Sequence, residues 1–271
     1  MAIFAVQHIR RMRGGAQSHL MRASDGHYYV VKFQNNPQHV RVLANEFLAT
    51  RLAERLGLPV PAVEIVEVGN WLIEHTSELR MQQAGRESPC SDGLQFGARY
   101  VGSLEAEVFD YLPESLLEKL RNREDFARML VLDKWTGNSN GRQAVFTRQA
   151  RQRNYQAIFI DQGYCFNAGD WSFSDSALRG VYARNLVYAG VEDWESFEPA
   201  LSRAETMKAS EIWACAESIP PEWYEHDVDG LERLVETLLE RRARIRELIA
   251  AFRDSSRQPF PNWKQRTVNA V

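Results

Sequence analysis

The feature that most constrains this chain is a change of period near residue 100. Upstream, short strand-like runs alternate with glycine and asparagine turns; downstream, apolar residues recur at helical spacing. Ala2 to Ile9, His19 to Ala23 and Tyr28 to Phe33 read as strands. The last, Tyr28-Tyr29-Val30-Val31-Lys32-Phe33, has the aromatic and β-branched content that fits a pleated surface. Arg13 to Ser18 forms the first loop, and Ser24-Asp25-Gly26 carries the preferred Asp-Gly hairpin pair. Asn35-Asn36-Pro37 breaks the pattern, and Leu43, Phe47, Leu48, Leu52 and Leu56 then predict a helix over 40–56, stopped by Gly57. Val63 to Val68 reads as extended, and Asn70 to Glu74 as a further short strand. Met81 to Asp92 reads as a loop, and Leu94 to Val101 as an extended connector.

Beyond the connector, helices are expected over 113–120 and 123–135, the second burying Phe126, Met129, Leu130 and Trp135. Val145 to Arg148 and Ala157 to Ile160 read as two strands joined by a basic turn. A long amphipathic helix is expected from about Gly230 to Phe252, with Leu231, Leu234, Leu238, Ile245, Leu248 and Phe252 as its stripe. Its length suits packing within a lobe better than a coiled coil. The expected organisation is a sheet-rich lobe over 1–97, a helical lobe over 98–254 and a polar tail over 255–271.

Charge and cysteine usage narrow the partners. With a net charge of -3 over 271 residues, nothing points to nucleic acid or an anionic membrane. The short basic clusters, Arg10 with Arg11 and Arg13, and Arg148 with Arg151 and Arg153, read as solvated surface. Cys90, Cys165 and Cys215 are scattered, with no CxxC pair, so neither a zinc site nor a disulfide framework is suggested. Gln7, His8, Arg10 and Arg11 stand where a signal peptide needs an apolar core, and no apolar run reaches membrane-span length. The cytoplasm is the expected compartment.

Three clusters can carry chemistry. Gly14-Gly15-Ala16-Gln17-Ser18 lies between two strands, where adjacent glycines let main-chain N–H groups approach anionic oxygens; an ordinary turn is the alternative. Lys32 projects from an apolar strand, and Glu46 on the next helix can hold it and aim its charge at phosphates, unless the lysine merely snorkels at a strand end. Asp161, in Ile158-Phe159-Ile160-Asp161-Gln162-Gly163, ends an apolar strand as a hard-cation ligand or a turn-capping residue would. The segment from Asp133 to Gln143 joins a buried helix to the strand that leads towards Asp161.

In this order, the segments resemble those of the HipA-like kinases, a family distantly related to protein and phosphatidylinositol kinases. The resemblance rests on Tyr28 to Phe33, on Asn45-Glu46 through Gly57-Leu58-Pro59-Val60-Pro61, on Gly93-Leu94-Gln95-Phe96-Gly97, on the Trp135 to Asn140 loop and on Phe159 to Gly163. It implies an α+β, two-lobed protein-kinase-like fold: an antiparallel sheet lobe with one helix, then a mainly helical lobe. By position, it assigns phosphate contact to Lys32 and the orienting of Lys32 to Glu46. It sets Gln95 and Phe96 near adenine and gives magnesium to Asp161. The implied cofactors are ATP and Mg2+, and the implied reaction is phosphoryl transfer to an unknown protein or small-molecule acceptor.

The catalytic loop departs from the family pattern of asparagine, any residue, aspartate. Asn138 matches, but Asn140 stands at the aspartate position, and the later asparagine falls on or near Val145. An asparagine cannot accept a proton from a hydroxyl, and valine cannot ligate magnesium. A nucleotide-binding pseudokinase and an AMP transferase are therefore the alternative functions. Arg142 and Gln143 are candidate catalytic residues of the same loop, Arg142 to neutralise phosphate or else to pack the loop. Asp133 is a candidate substitute base, or else an ion-pair partner of Lys134 or another neighbour. A toxin-module role would rest on family analogy alone.

Overall fold

The protein, described by a computed structural model over residues 2–103 and 106–264, turns the strand-rich first part into a small closed barrel. Its elements in this part are β1 (Ile3–Arg11), β2 (His19–Ala23), β3 (Tyr28–Lys32), α1 (Arg41–Leu56), β4 (Val63–Val68), α2 (Asn70–Glu74), β5 (Arg80–Gln83), β6 (Arg86–Pro89) and β7 (Gly93–Arg99). The barrel order is β1-β2-β3-β7-β4, antiparallel throughout except where β1 meets β4 in parallel at Ile3–Val66 and Phe4–Glu67. Met21, Tyr29, Val31, Phe33, Val66 and Val68 fill it. α1 is buried along most of its length and ends on Gly57 in the left-handed region, φ 79°, as the sequence predicts.

Three local expectations fail here. Asn70 to Glu74 is helical: Asn70 donates to Glu74 Oε1 at 2.7 Å across one turn, and both edges of β4 are already taken by β1 and β7. The expected loop over 81–92 contains most of the β5–β6 hairpin. The expected connector is β7, a barrel strand hydrogen-bonded to both β3 and β4.

The second part comprises β8 (Ala106–Phe109), α3 (Glu114–Leu117), α4 (Asp125–Trp135), β9 (Gln143–Gln149), β10 (Gln156–Ile160), α5 (Ala200–Thr206), α6 (Ala209–Ala216), α7 (Val228–Arg241) and α8 (Ile245–Arg253). β10, β9 and β8 form an antiparallel sheet in that order. The helix expected over 113–120 is the single turn α3. The long amphipathic helix is broken at Arg242–Arg244 into α7 and α8. There the buried Arg241 donates to the carbonyls of Lys134 and Trp135 and pairs with Asp175, while Arg242 donates to those of Leu239 and Met207. The stripe continues as Ile245, Leu248, Ile249 and Phe252 on α8.

The first residues of the expected polar tail fold back on the core. Phe260 is buried among Tyr188, Phe197, Phe252 and Trp263, because four aromatic neighbours outweigh the polar residues around it. The remainder of that expected tail, 265–271, lies outside the described residues. One large core spans both parts: Trp223 packs edge-on to Phe47 of α1 and Phe96 of β7 and donates its indole N–H to Leu94 O at 2.8 Å. Among the described residues, no helix is long and apolar enough to cross a membrane.

Candidate active site

A cavity of about 630 Å³ opens beneath the loop between β1 and β2. β3 delivers Lys32 to it, because alternation along the strand turns Val31 into the barrel and Lys32 to the other side. The ammonium pairs with Glu46 of α1 and with Asp161 Oδ1 at 2.7 Å. Burial works against the charge on Lys32, and the two carboxylates more than offset it, so its pKa lies above the ordinary lysine value. Burial raises the Glu46 carboxyl despite Lys32, whereas Asp161 is held below its usual value because Lys32 outweighs the desolvation.

The turn after β10 is shaped to make this contact. Asp161 has φ 62°, a left-handed conformation that a short polar side chain tolerates best after glycine. The backbone N–H of Gln162 donates to Glu46 Oε2 at 2.9 Å, so Glu46 holds both the lysine and the turn. Gly163 permits the approach of α1: a Cβ there would sit 2.5 Å from Val42 Cγ1. Asn45 completes the seam, donating to the carbonyls of Gly163 and Ala168.

Of the β1–β2 loop, Gly14, Gly15, Ala16 and Ser18 line the cavity, and Gly14 takes φ 125°, open to glycine. Gln17 does not: its amide bonds both the N–H and the carbonyl of Gln82 on the β5–β6 hairpin. Phe96 lines the cavity with Ala98, Arg99, Tyr100 and Val101, but Gln95 turns away. Buried Gln95 accepts from Gln34 N and donates to the carbonyls of Ser91 and Asp92, tying β7 to its flanking loops.

Four residues of the 138–143 loop are candidate catalytic residues by sequence. Asn140 and Gln143 line the cavity; Asn138 and Arg142 do not. Gln143 donates its amide N–H to Asp161 Oδ2 at 2.6 Å. Asn138 is buried, donating to Asp133 Oδ1 at 2.8 Å and accepting from Asn140 N at 3.1 Å. Arg142 is fully enclosed: its Nε and Nη2 grip Asp133, and its Nη1 donates to Ile160 O and Gln162 Oε1. For both residues the second of the two expected roles holds. Arg142 packs the loop and does not face the cavity, and Asp133 is its ion-pair partner at 1% side-chain exposure, out of reach of any acceptor. Nor does Asp133 pair with Lys134, whose ammonium donates to the carbonyls of Ser176, Ala177 and Arg179.

Several side chains that no motif marks also line the cavity. Arg10 and Arg13, read as solvated surface, border the cavity, as do Asp110 and Tyr164. Their sequence signal is slight: Arg13 adjoins the glycine pair, and Asp110 follows the apolar strand end Val108-Phe109. A larger depression of about 1340 Å³, between Trp194 and Trp263, shares no residue with this one. Among the described residues, no cluster of three histidine, cysteine or carboxylate side chains is arranged to hold a metal. Asp161 meets the Lys32 ammonium through Oδ1 and the Gln143 amide N–H through Oδ2, and its carboxylate oxygens are of the type that suits a hard divalent cation.

A cation braced by a helix glutamate and a post-strand aspartate, beneath a glycine loop, is a kinase arrangement. The sequence pattern of the HipA-like kinases matches residues 5–253. The chain belongs to the HipA-like kinase family. Its fold is similar to that of the Helicobacter pylori proinflammatory kinase CtkA, with TM-score 0.57 and 15% identity, over 92% of this chain and 99% of that one. A Golgi casein kinase is similar at TM-score 0.55 and 14% identity, over 93% of this chain and 74% of that one. A structure of the Golgi casein kinase with Mn/ADP bound gives TM-score 0.51 and 12% identity, over 94% and 73%. At such identities the likeness is one of fold. No curated protein matches the chain.

Proposed function

We propose that this HipA-like kinase binds ATP with magnesium in the cavity under the 13–18 loop and transfers the terminal phosphoryl group to a protein or small-molecule acceptor. The observation that carries the reading is Lys32, buried at the cavity wall and held between Glu46 and Asp161. Glu46 fixes the direction of the ammonium, so Lys32 meets phosphate oxygens without reorganising. Main-chain N–H groups of the Gly14-Gly15 turn supply further donors to the phosphates. Phe96, Ala98 and Val101 offer an apolar wall to the adenine. Asp161 would hold the magnesium, whose charge would offset that of the phosphate groups. The Golgi casein kinase structure with Mn/ADP bound supports a nucleotide and a divalent cation in this fold. Residues 1–97 then hold most of the nucleotide and 98–254 the acceptor, and the three buried free thiols accord with work in the cytoplasm.

Asn140 keeps a second reading in play: a nucleotide-binding module without turnover. It lines the cavity at the aspartate position of the family, and its Oδ1 accepts from Gly141 N at 2.8 Å. Positioning and charge stabilisation supply most of the rate in phosphoryl transfer, so loss of the base slows the reaction without abolishing it. Calorimetric titration with Mg-ATP, with product analysis of the same sample, tests both. Lys32→Ala is expected to weaken ATP binding at least about tenfold, or 1.4 kcal/mol; equal binding in that variant removes the proposal. ADP release identifies a kinase and pyrophosphate an AMP transferase, while binding without products leaves the non-catalytic module.

A further inference from the structure

The magnesium site proposed above has one named protein ligand, Asp161. Five residues after Asn140 stands Val145, a buried strand residue that offers no donor. Residues two apart on a strand share a face, so Gln143 projects to the same side of β9 as Val145, and both line the cavity. Gln143 reaches Asp161, with Nε2 2.6 Å from Oδ2, while Lys32 occupies Oδ1.

We propose that Gln143 is the second protein ligand of the divalent cation, its amide turning over so that Oε1 replaces Nε2 beside Asp161. The inference rests on the nucleotide reading and adds to it a ligand at an unexpected position. A carboxamide carries a donor on one side and an acceptor on the other, so one rotation of its terminal torsion suits both states. Without the cation, Nε2–H satisfies the Asp161 carboxylate; with it, Oε1 and that carboxylate form an all-oxygen pair suited to Mg2+ or Mn2+. A glutamate at 143 would set two carboxylates together whenever the cation is absent. Gln143 is exposed at the start of β9, so the turn disturbs no packing.

The test measures Mn2+ affinity by electron paramagnetic resonance of the free ion, in the presence of a non-hydrolysable ATP analogue. Metal-free affinity for the analogue is measured alongside. Gln143→Leu is expected to weaken Mn2+ by about tenfold or more, with metal-free nucleotide affinity within about twofold of wild type. Gln143→Glu is expected to recover or exceed the wild-type Mn2+ affinity, which a packing role for Gln143 would not produce. Equal Mn2+ affinity in Gln143→Leu and wild type, with nucleotide still bound, overturns this inference alone. A wild-type protein that binds no nucleotide overturns it together with the proposed function.

Discussion

Replacing Arg142 with methionine removes a guanidinium that no solvent reaches and leaves its partner charge behind. Burial works against the charge on Arg142, and Asp133 more than restores it, so the pair is held as an ion pair. Asp133 keeps only the Asn138 amide at 2.8 Å, while Ile160 O and Gln162 Oε1 lose a donor. Stranding one buried charge costs about 3–5 kcal/mol, against about 5–15 kcal/mol of total stability for a protein of this kind. Arg142→Met therefore loses a large share of its stability. Urea unfolding at pH 7, followed by tryptophan fluorescence, reads the loss directly, with the buried Trp135 two residues from Asp133. Combining Arg142→Met with Asp133→Asn removes the stranded charge, and the double variant is expected to lose about 2 kcal/mol less than the sum of the singles. A stability within about 1 kcal/mol of wild type, with collapsed nucleotide affinity, would refute the reasoning and return Arg142 to phosphate contact.

Asn140→Asp restores a carboxylate to the cavity wall. ADP release in the presence of acceptor is expected to rise about 100-fold or more, and an unchanged rate would mean that no base acts from this position. His19 supplies a pH test. Burial, followed by the charges of His8 and Arg11, lowers its pKa from 6.5 to about 4, so between these values the unfolded chain binds the extra proton. Stability is thus expected to fall by about 2 kcal/mol as pH drops from 6.5 to 4. His19→Gln should flatten that part of the curve, and an identical slope in both proteins would remove His19 as the cause.

Much of the sheet-rich part could be read directly because its signals are local. Tyr28 to Lys32 is a strand and Arg41 to Leu56 a helix closed by Gly57, as their side-chain periods require. Asn70-Trp71-Leu72-Ile73-Glu74 misleads, since five residues with apolar members satisfy either period; the occupied edges of β4 decide for a helix. β7 looks like a connector because its seven residues carry two glycines, and only its pairing on both sides reveals a barrel strand. The site divides in the same way. Lys32, Glu46 and Asp161 stand out as charges beside apolar runs, and the fold brings them together. Gln95 and Gln17 follow a motif by position, but their side chains are spent on neighbouring backbone.

Residue order by itself determined the helix that carries Glu46 and the absence of a carboxylate at position 140, because these depend on short-range spacing, while the kinase-like architecture came from the resemblance of its segments to those of the HipA-like kinases. Only the tertiary structure decided the roles of Arg142 and Asp133. They are nine positions apart, and their pairing depends on the loop between α4 and β9 folding back on a site shielded from solvent, where an unpaired charge is untenable. Tertiary structure likewise turned Gln143 towards Asp161, since a contact across eighteen residues is set by strand register and not by sequence spacing.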